Sequence, residues 1–543
     1  MQQDARNEGK TLLSVRDLEV SYGGTPVLDK VSFDLKQGER VAIVGQSGSG
    51  KSTVVGAILG LLSGAGRITH GSILLNGEDL AEASQEELRG IRGKKIGLVP
   101  QDPMSNLNPS MKVGAQIADA LASNGMRGRA AIKQRAVELM TEAGIPDAER
   151  RYNQYPHEFS GGMRQRVLIA ISLAGEPDLL IADEPTSALD VTVQRQILNH
   201  LQTLVDARGT SLLFVTHDLG LAGDRTDRII VMAEGRIVES GTPWEVLLNP
   251  QEDYTRRLVA AAPSASLSAD PASDPPAPER DRPAPVLSVR NLAKEFKLRG
   301  QRGRRIQAVD DVSFDVHGGT TTAVVGESGS GKSTVARIIL GLETPTSGSA
   351  LIKGESIATS NPQTRRALRR IAQPVFQDPY GSLDPTFSIE RLIDEPLRIF
   401  NVGTRDSRRE RVAELLDQVA LPRTVAQRRP HELSGGQRQR VAIARALALE
   451  PELLILDEAV SALDVLVQEQ ILTLLEDLQD RLGLTYLFIT HDLAVVRQIA
   501  HNVVVMKTGK VVETGSVDQV FLAPSADYTK ELLGAIPGAA FAS

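Results

Sequence analysis

The chain has no cysteine. That absence removes disulfides, thiol catalysis, cysteine-built zinc sites and iron–sulfur clusters together. Aromatic residues make up only 3%, with a single tryptophan, Trp244, so no base-stacking surface for nucleic acid is expected. Positive charge is not in excess: 61 Lys and Arg stand against 68 Asp and Glu, a net charge of −7. This argues against nucleic acid as the main partner. No run of about 18–20 uncharged apolar residues occurs, so no membrane span is expected. Met1 to Lys10 is polar and lacks the apolar core of a signal peptide. The expected place is the cytosol, or a membrane surface reached through partners.

What is present is long and repetitive. A chain of 543 residues is too large for one core, so two or more domains are expected. Leu13-Ser14-Val15-Arg16-Asp17-Leu18 returns as Leu287-Ser288-Val289-Arg290-Asn291-Leu292, and Val31-Ser32-Phe33-Asp34 returns as Val312-Ser313-Phe314-Asp315. This is a duplicated domain, with expected limits 10–262 and 286–537. Between them, 263–285 is rich in Pro, Ala, Ser and Asp and reads as an extended linker, able to reach roughly 75–80 Å. Apolar runs such as Leu179–Ala182 and Leu212–Val215 read as buried parallel strands. Leu12 to Leu35 alternates like an antiparallel sheet, Val191 to Val205 reads as a helix, and Ala115 to Arg151 reads as almost wholly helical. Each half is therefore expected to be an α/β core with an antiparallel β edge and an inserted helical subdomain.

The chemistry starts at Gly45-Gln46-Ser47-Gly48-Ser49-Gly50-Lys51-Ser52-Thr53, set between the apolar run Val41–Val44 and a helical pattern from Val54. Strand, glycine-rich loop and helix together make a P-loop, whose backbone N–H groups and helix N-terminus hold phosphate. Lys51 reaches the terminal phosphates and the Ser52 hydroxyl holds Mg²⁺. The loop recurs as Gly326-Glu327-Ser328-Gly329-Ser330-Gly331-Lys332-Ser333-Thr334, making Lys332 and Ser333 the second pair. Gln101 and Gln377 each follow a strand, as does the acidic pair Asp183-Glu184 and its repeat Asp457-Glu458. Acidic groups at the C-terminal end of a buried strand lie where open α/β sheets bind ligands. Asp183 and Asp457 are expected to order Mg²⁺ with Gln101 and Gln377. Glu184 and Glu458 are expected to take a proton from attacking water, a task worth about 10²–10⁴ in rate. Ser160-Gly161-Gly162 and Ser434-Gly435-Gly436 each open a helix and offer a second anion site. His217 and His491 end equivalent strands and read as γ-phosphate contacts.

The order P-loop, glutamine, Ser-Gly-Gly, Asp-Glu, Ser187-Ala188-Leu189-Asp190 (repeated as Ser461-Ala462-Leu463-Asp464) and histidine resembles the ATP-binding-cassette (ABC) ATPases across both halves. The resemblance implies two tandem ABC ATPase domains, with Walker A, Q-loop, signature, Walker B, D-loop and switch histidine at these positions. It implies an adenine-stacking aromatic at Tyr22 and Phe296. It also implies head-to-tail pairing, one ATP using Lys51, Gln101, Glu184 and His217 with Ser434 and Gly436, the other Lys332, Gln377, Glu458 and His491 with Ser160 and Gly162. Two departures stand out: Met163 where the other signature has Gln437, and Ala459-Val460 where the first half has Pro185-Thr186.

Gln101-Asp102-Pro103 followed by Leu107-Asn108-Pro109, and Gln377-Asp378-Pro379 followed by Leu383-Asp384-Pro385, are similar to the dipeptide/oligopeptide/nickel importer ATPases. Tyr254-Thr255-Arg256-Arg257-Leu258 and Tyr528-Thr529-Lys530-Glu531-Leu532 resemble that group's terminal helix. The group implies ATP and Mg²⁺ as ligands, two integral-membrane permease subunits, an extracytoplasmic substrate-binding protein, and a peripheral place on the cytoplasmic face of the inner membrane. Dipeptide, oligopeptide, glutathione and nickel chelate all fit as cargo. Many members carry a cysteine cluster, and with no cysteine no iron–sulfur cluster is expected here. The rival expectation is a soluble twin-cassette ATPase acting on ribosomes or DNA; the short Pro-rich linker, the missing zinc cysteines and the missing coiled-coil insertions weigh against it. The basic segment Lys297, Arg299, Arg302, Arg304, Arg305 reads as a solvated hairpin tip.

Overall fold

A computed structural model describes residues 9–186, 189–262, 284–297, 305–358, 360–461, 463–538 and 541. Most of the linker, the middle of the basic segment, and Ser187, Ala188 and Ala462 lie outside the described residues. The chain divides into two compact units, one holding the first half together with Pro537, Gly538 and Phe541, the other running to Ile536.

In the first unit, Thr11–Tyr22 and Thr25–Lys36 pair antiparallel, and Gly66–Leu75 adds to the other side of Thr11–Tyr22. This is the expected β edge, and its alternation places Leu13, Val15, Val31, Phe33 and Leu35 inward. A six-stranded sheet follows in the order Arg236–Gly241, Arg228–Ala233, Arg40–Val44, Ser211–Thr216, Leu179–Asp183, Ile96–Val99. All neighbours are parallel except the outermost Arg236–Gly241. The P-loop strand Arg40–Val44 is flanked on both sides, and Val41 to Val44 are fully buried, which is why they form an unbroken apolar run. One core joins the antiparallel sheet to this strand: Leu13 and Val15 share a cluster with Val41, Ile43, Val54 and Ile58.

The stretch expected to be almost wholly helical is three helices, Val113–Ser123, Arg129–Glu142 and Ala148–Arg151. Gly125 and Gly128, both at positive φ, and Gly144 at φ 75° turn the chain between them. These helices bury Val113, Ile117, Leu121, Leu139 and Met140 against Val167 and Leu168 of Gly161–Ser172, a core of their own. The helix expected over Val191 to Val205 runs Val191–Arg208, capped by Asp190 and ended by Gly209 at φ 64°.

The second unit repeats the plan. Leu287–Lys297 and Arg305–Val316 pair antiparallel beside Ser347–Ile352. The register Lys297↔Arg305 is that of a hairpin, whose tip lies outside the described residues. Its larger sheet has the order Ala372–Val375, Leu453–Asp457, Thr485–Thr490, Thr321–Val325, Asn502–Lys507, Lys510–Ser516. Its helical insertion is built from Ile389–Phe400 and Arg405–Gln418, packed on Gly435–Leu447. Among the described residues no helix is long and apolar enough to cross a membrane.

Candidate functional site

Parallel strands set all their C-terminal ends on one edge of a sheet. In the first unit that edge receives the P-loop after Val44, Asp183-Glu184 after Leu179–Ala182, Gln101 after Ile96–Val99, and His217 after Ser211–Thr216. The P-loop glycines are forced. Gly45 has φ 154°, and a Cβ there would stand 2.2 Å from the Met232 carbonyl oxygen; Gly326 repeats this at φ 150° and 2.1 Å from that of Met506. Gly50 at φ 100° and Gly331 at φ 102° are the N-caps of Lys51–Ile58 and Lys332–Ile339. With no side-chain cap, the first N–H groups of each helix are left for an anion.

Lys51 Nζ donates to the Gly45 and Gln46 carbonyls at 2.7 and 2.9 Å; Lys332 Nζ does so to Gly326 and Glu327 at 2.6 and 2.9 Å. Both amines are buried over the loop. Ser47, Gly48, Ser328 and Gly329 lie exposed at the loop tip, and Thr53 and Thr334 sit in the first helical turn. Ser49 and Ser330, which the sequence reading passed over, are 2% and 4% exposed with unpartnered hydroxyl oxygens inside the loop. A second overlooked pair anchors the loop from outside. The Gln46 N–H donates to the Tyr254 hydroxyl at 3.0 Å, and the Glu327 N–H to the Tyr528 hydroxyl at 3.2 Å. The recurrence of Tyr-Thr at both domain ends was the available signal.

The acidic pair sits beside the loop. Burial, with repulsion from Glu184, pushes the Asp183 carboxyl up to about 6, and the Ser52 hydroxyl bonds to it. Burial likewise raises Asp457, which the Ser333 hydroxyl contacts, and Asp457 Oδ1 is buried without a partner. A hydroxyl next to a desolvated carboxylate, one of its oxygens unpaired, fits an oxygen-loving cation such as Mg²⁺ completed by phosphate and water. Glu184 and Glu458 have φ 43° and 49°, left-handed values that non-glycine residues rarely adopt. Their N–H groups are held by the Val215 and Ile489 carbonyls, each at 2.8 Å.

The two glutamate carboxylates each have the same partners. Gln101 Nε2 donates to Glu184 at 2.7 Å, and His217 Nδ1 lies 3.2 Å from its other oxygen. Gln377 Nε2 donates to Glu458 at 2.7 Å, with His491 Nδ1 at 3.5 Å. Burial pushes each glutamate up, but the histidine hydrogen bond and charge, helped by the P-loop lysine, outweigh it and hold the carboxyl below its usual value. In return the glutamate raises each histidine against the effect of burial. The result is an ionised carboxylate at neutral pH, ready to accept a proton, beside a group that can donate one.

The Ser-Gly-Gly segments each open a helix. The Met163 N–H donates to the Ser160 hydroxyl at 3.4 Å. In the other copy the Gln437 N–H donates to the Ser434 hydroxyl at 3.3 Å, and the Ser434 N–H donates back to the Gln437 side chain at 3.1 Å. A Cβ on Gly162 would stand 2.7 Å from the Val193 side chain, and one on Gly436 2.4 Å from Val467, so those glycines are fixed by packing; Gly161 and Gly435 have more room. Tyr22 ends its strand against Gly66 at the edge of the core, whereas Phe296 is 39% exposed with Lys294 Nζ 4.9 Å from its ring centre. In the segments that follow the acidic pairs, Asp190 and Asp464 cap the next helices; Ser187, Ala188 and Ala462 lie outside the described residues.

Comparison with known proteins follows the same two halves. The ABC transporter family model matches residues 28–187 and again 309–461. The chain is 45% identical over 534 residues to the peptidoglycan transport ATP-binding protein YejF of Agrobacterium fabrum, covering 96% of both chains. It is 42% identical over 561 residues to the glutathione import ATP-binding protein GsiA of Salmonella choleraesuis, covering 98% of this chain and 90% of the relative. It is 43% identical over 557 residues to GsiA of Escherichia coli O6:H1, covering 97% and 89%. Two matched cassettes and relatives of nearly the same length show that the chain belongs to the ABC transporter family, as a twin-cassette ATPase.

Proposed function

We propose that this chain is the energy-coupling subunit of a bacterial importer for peptide-class cargo, with domains 10–262 and 286–537 joined by the linker 263–285. The observation that carries the reading is similarity over both halves to relatives named for glutathione import and peptidoglycan transport. Two integral-membrane permease subunits and an extracytoplasmic binding protein complete the transporter, and the chain sits peripherally on the cytoplasmic face of the inner membrane.

Each half binds ATP through its P-loop: Gly45, Ser47, Gly48, Gly50, Lys51, Ser52 and Thr53 in the first, Gly326, Ser328, Gly329, Gly331, Lys332, Ser333 and Thr334 in the second. Ser52, Asp183 and Gln101, with Ser333, Asp457 and Gln377, hold Mg²⁺, which supplies charge neutralisation at the phosphates. Glu184 and Glu458 take the proton from attacking water, while Lys51, Lys332, His217 and His491 face the charge that develops on the γ-phosphate. Gln101 and Gln377 bond to these glutamates at the start of the segments that lead into the helical insertions, the route by which ATP occupancy would reach them.

The test is capture of the tagged Glu184→Gln, Glu458→Gln chain from detergent-solubilised cells with ATP and Mg²⁺. Two multi-span membrane proteins in stoichiometric yield are expected. Ribosomal proteins or a DNA-repair complex in their place would overturn the importer reading.

A further inference from the structure

We infer that the helical insertion of the second half carries a binding pocket for a phosphate-bearing anion, separate from the P-loop. A crevice of about 470 Å³ lies along Ile389–Phe400 and Arg405–Gln418. Five arginines line it, against two carboxylates, Glu390 and Asp394. Those carboxylates are engaged in its wall: Arg408 Nε donates to Asp394 at 2.7 Å, Arg409 Nε to Glu390 at 3.2 Å, and Gln427 also donates to Glu390 at 2.8 Å. Arg398 stands 4.0 Å from Asp394, already shared with Arg408. Arg391 lies over the Phe387 ring at 3.5 Å, and Arg405 forms no ion pair among the described residues. Arg391 also feels the charge of Asp384, so the five guanidinium groups share few carboxylates and the crevice keeps an excess of positive charge. Mutual repulsion is relieved by a multivalent anion, and the flat guanidinium fork matches phosphate oxygens in pairs.

The first half shows that the fold does not need this crevice. The same helix pair there has Gly114, Ala115, Ala118, Ala122 and Ile132 in place of Glu390, Arg391, Asp394, Arg398 and Arg408. The Tyr152 ring fills the space: a Cβ on Gly114 would meet it at 2.2 Å, and Lys133 Nζ covers it at 5.8 Å from its centre. Ala426 takes the place of Tyr152 in the second half, so no ring packs there on the helix that carries Glu390. One copy sets a ring against its first helix; the other adds arginine at 391, 398 and 408 to basic positions 405 and 409 that the first half also has, as Arg129 and Lys133.

The experiment uses the full chain with both P-loops saturated by a non-hydrolysable ATP analogue and Mg²⁺, so that added anions meet only other sites. The probes are inorganic pyrophosphate, by calorimetry, and vesicles of phosphatidylglycerol or phosphatidylcholine, by flotation. Two variants are compared: Arg391→Ala with Arg398→Ala and Arg405→Ala, all at exposed positions, and Glu390→Gly with Ala426→Tyr, which rebuilds the packing of the first half. Salt-sensitive binding to the unaltered chain is expected, at least tenfold weaker in both variants, with melting temperature unchanged for the arginine variant. Binding of pyrophosphate assigns a free anion; binding of phosphatidylglycerol vesicles alone assigns a lipid headgroup. Absence of binding to either probe, or equal binding by the arginine variant, overturns the inference.

Discussion

The two halves agree where phosphate is handled and part company in their flanks. The lysine-to-carbonyl bonds are 2.7 and 2.9 Å in one half and 2.6 and 2.9 Å in the other, and the glutamine-to-glutamate bonds are both 2.7 Å. Away from that edge, the first half has a tyrosine packed on its helix pair where the second has an arginine-lined crevice, and its signature helix opens on Met163 where the second has a reciprocal cap at Gln437. Groups that must meet the same tetrahedral anion have little freedom. The flanks do not meet that anion, and there two copies can diverge at small cost.

The comparison breaks first at the glutamates. Glu184→Gln and Glu458→Gln together are expected to lower ATP turnover by about 10²–10⁴. A steady-state phosphate-release assay checks this, and a loss from only one of the two single variants would show that one half alone is catalytic. Next come the lysines. Lys51→Ala and Lys332→Ala should each weaken ATP at their own site by roughly tenfold to a hundredfold, the worth of one charged hydrogen bond of about 1.5–3 kcal/mol. Nucleotide titration with the other site blocked reads each half separately.

Acidity should act similarly on both. Asp183 is pushed up to about 6 and Asp457 is also raised, both first by burial. A carboxyl raised on folding costs stability where it is ionised, above about 6 for Asp183, and that cost fades as pH falls through this value. Mg²⁺ needs the ionised form, so its affinity at the first site should drop about tenfold per unit below pH 6. An affinity flat from pH 7 to 5 would remove Asp183 from the metal site. The smallest effect is expected at the signature helices. Gln437→Met deletes one arm of a reciprocal cap and should cost about 0.5–1 kcal/mol, whereas Met163→Gln should return a similar amount. Thermal unfolding of the pair tests this; equal shifts of the same sign would refute it.

Much of this was legible because it is local. A P-loop, a capped helix start and an acidic pair after an apolar run are each written within ten residues or so, and the sheet edge gathers them by strand order alone. The contact of Tyr254 with the P-loop was not legible, since it joins residues from opposite ends of a domain. The left-handed backbone of Glu184 was hidden for another reason: its neighbours hold it there against its own preference. The helical insertion read as almost wholly helical, but its division into three helices was not legible; the chain turns at Gly125, Gly128 and Gly144, all at positive φ. The arginine crevice was not legible because its lining comes from two helices, Ile389–Phe400 and Arg405–Gln418, whose side chains meet only in the fold.

The most direct measurement of the central claim, two complete ATP sites in one chain, is the number of nucleotides retained by Glu184→Gln, Glu458→Gln protein after incubation with ATP and Mg²⁺ and rapid desalting. Two unhydrolysed ATP per chain is the expected result. One ATP per chain, or ADP in either site at the rate of the unaltered protein, would contradict it.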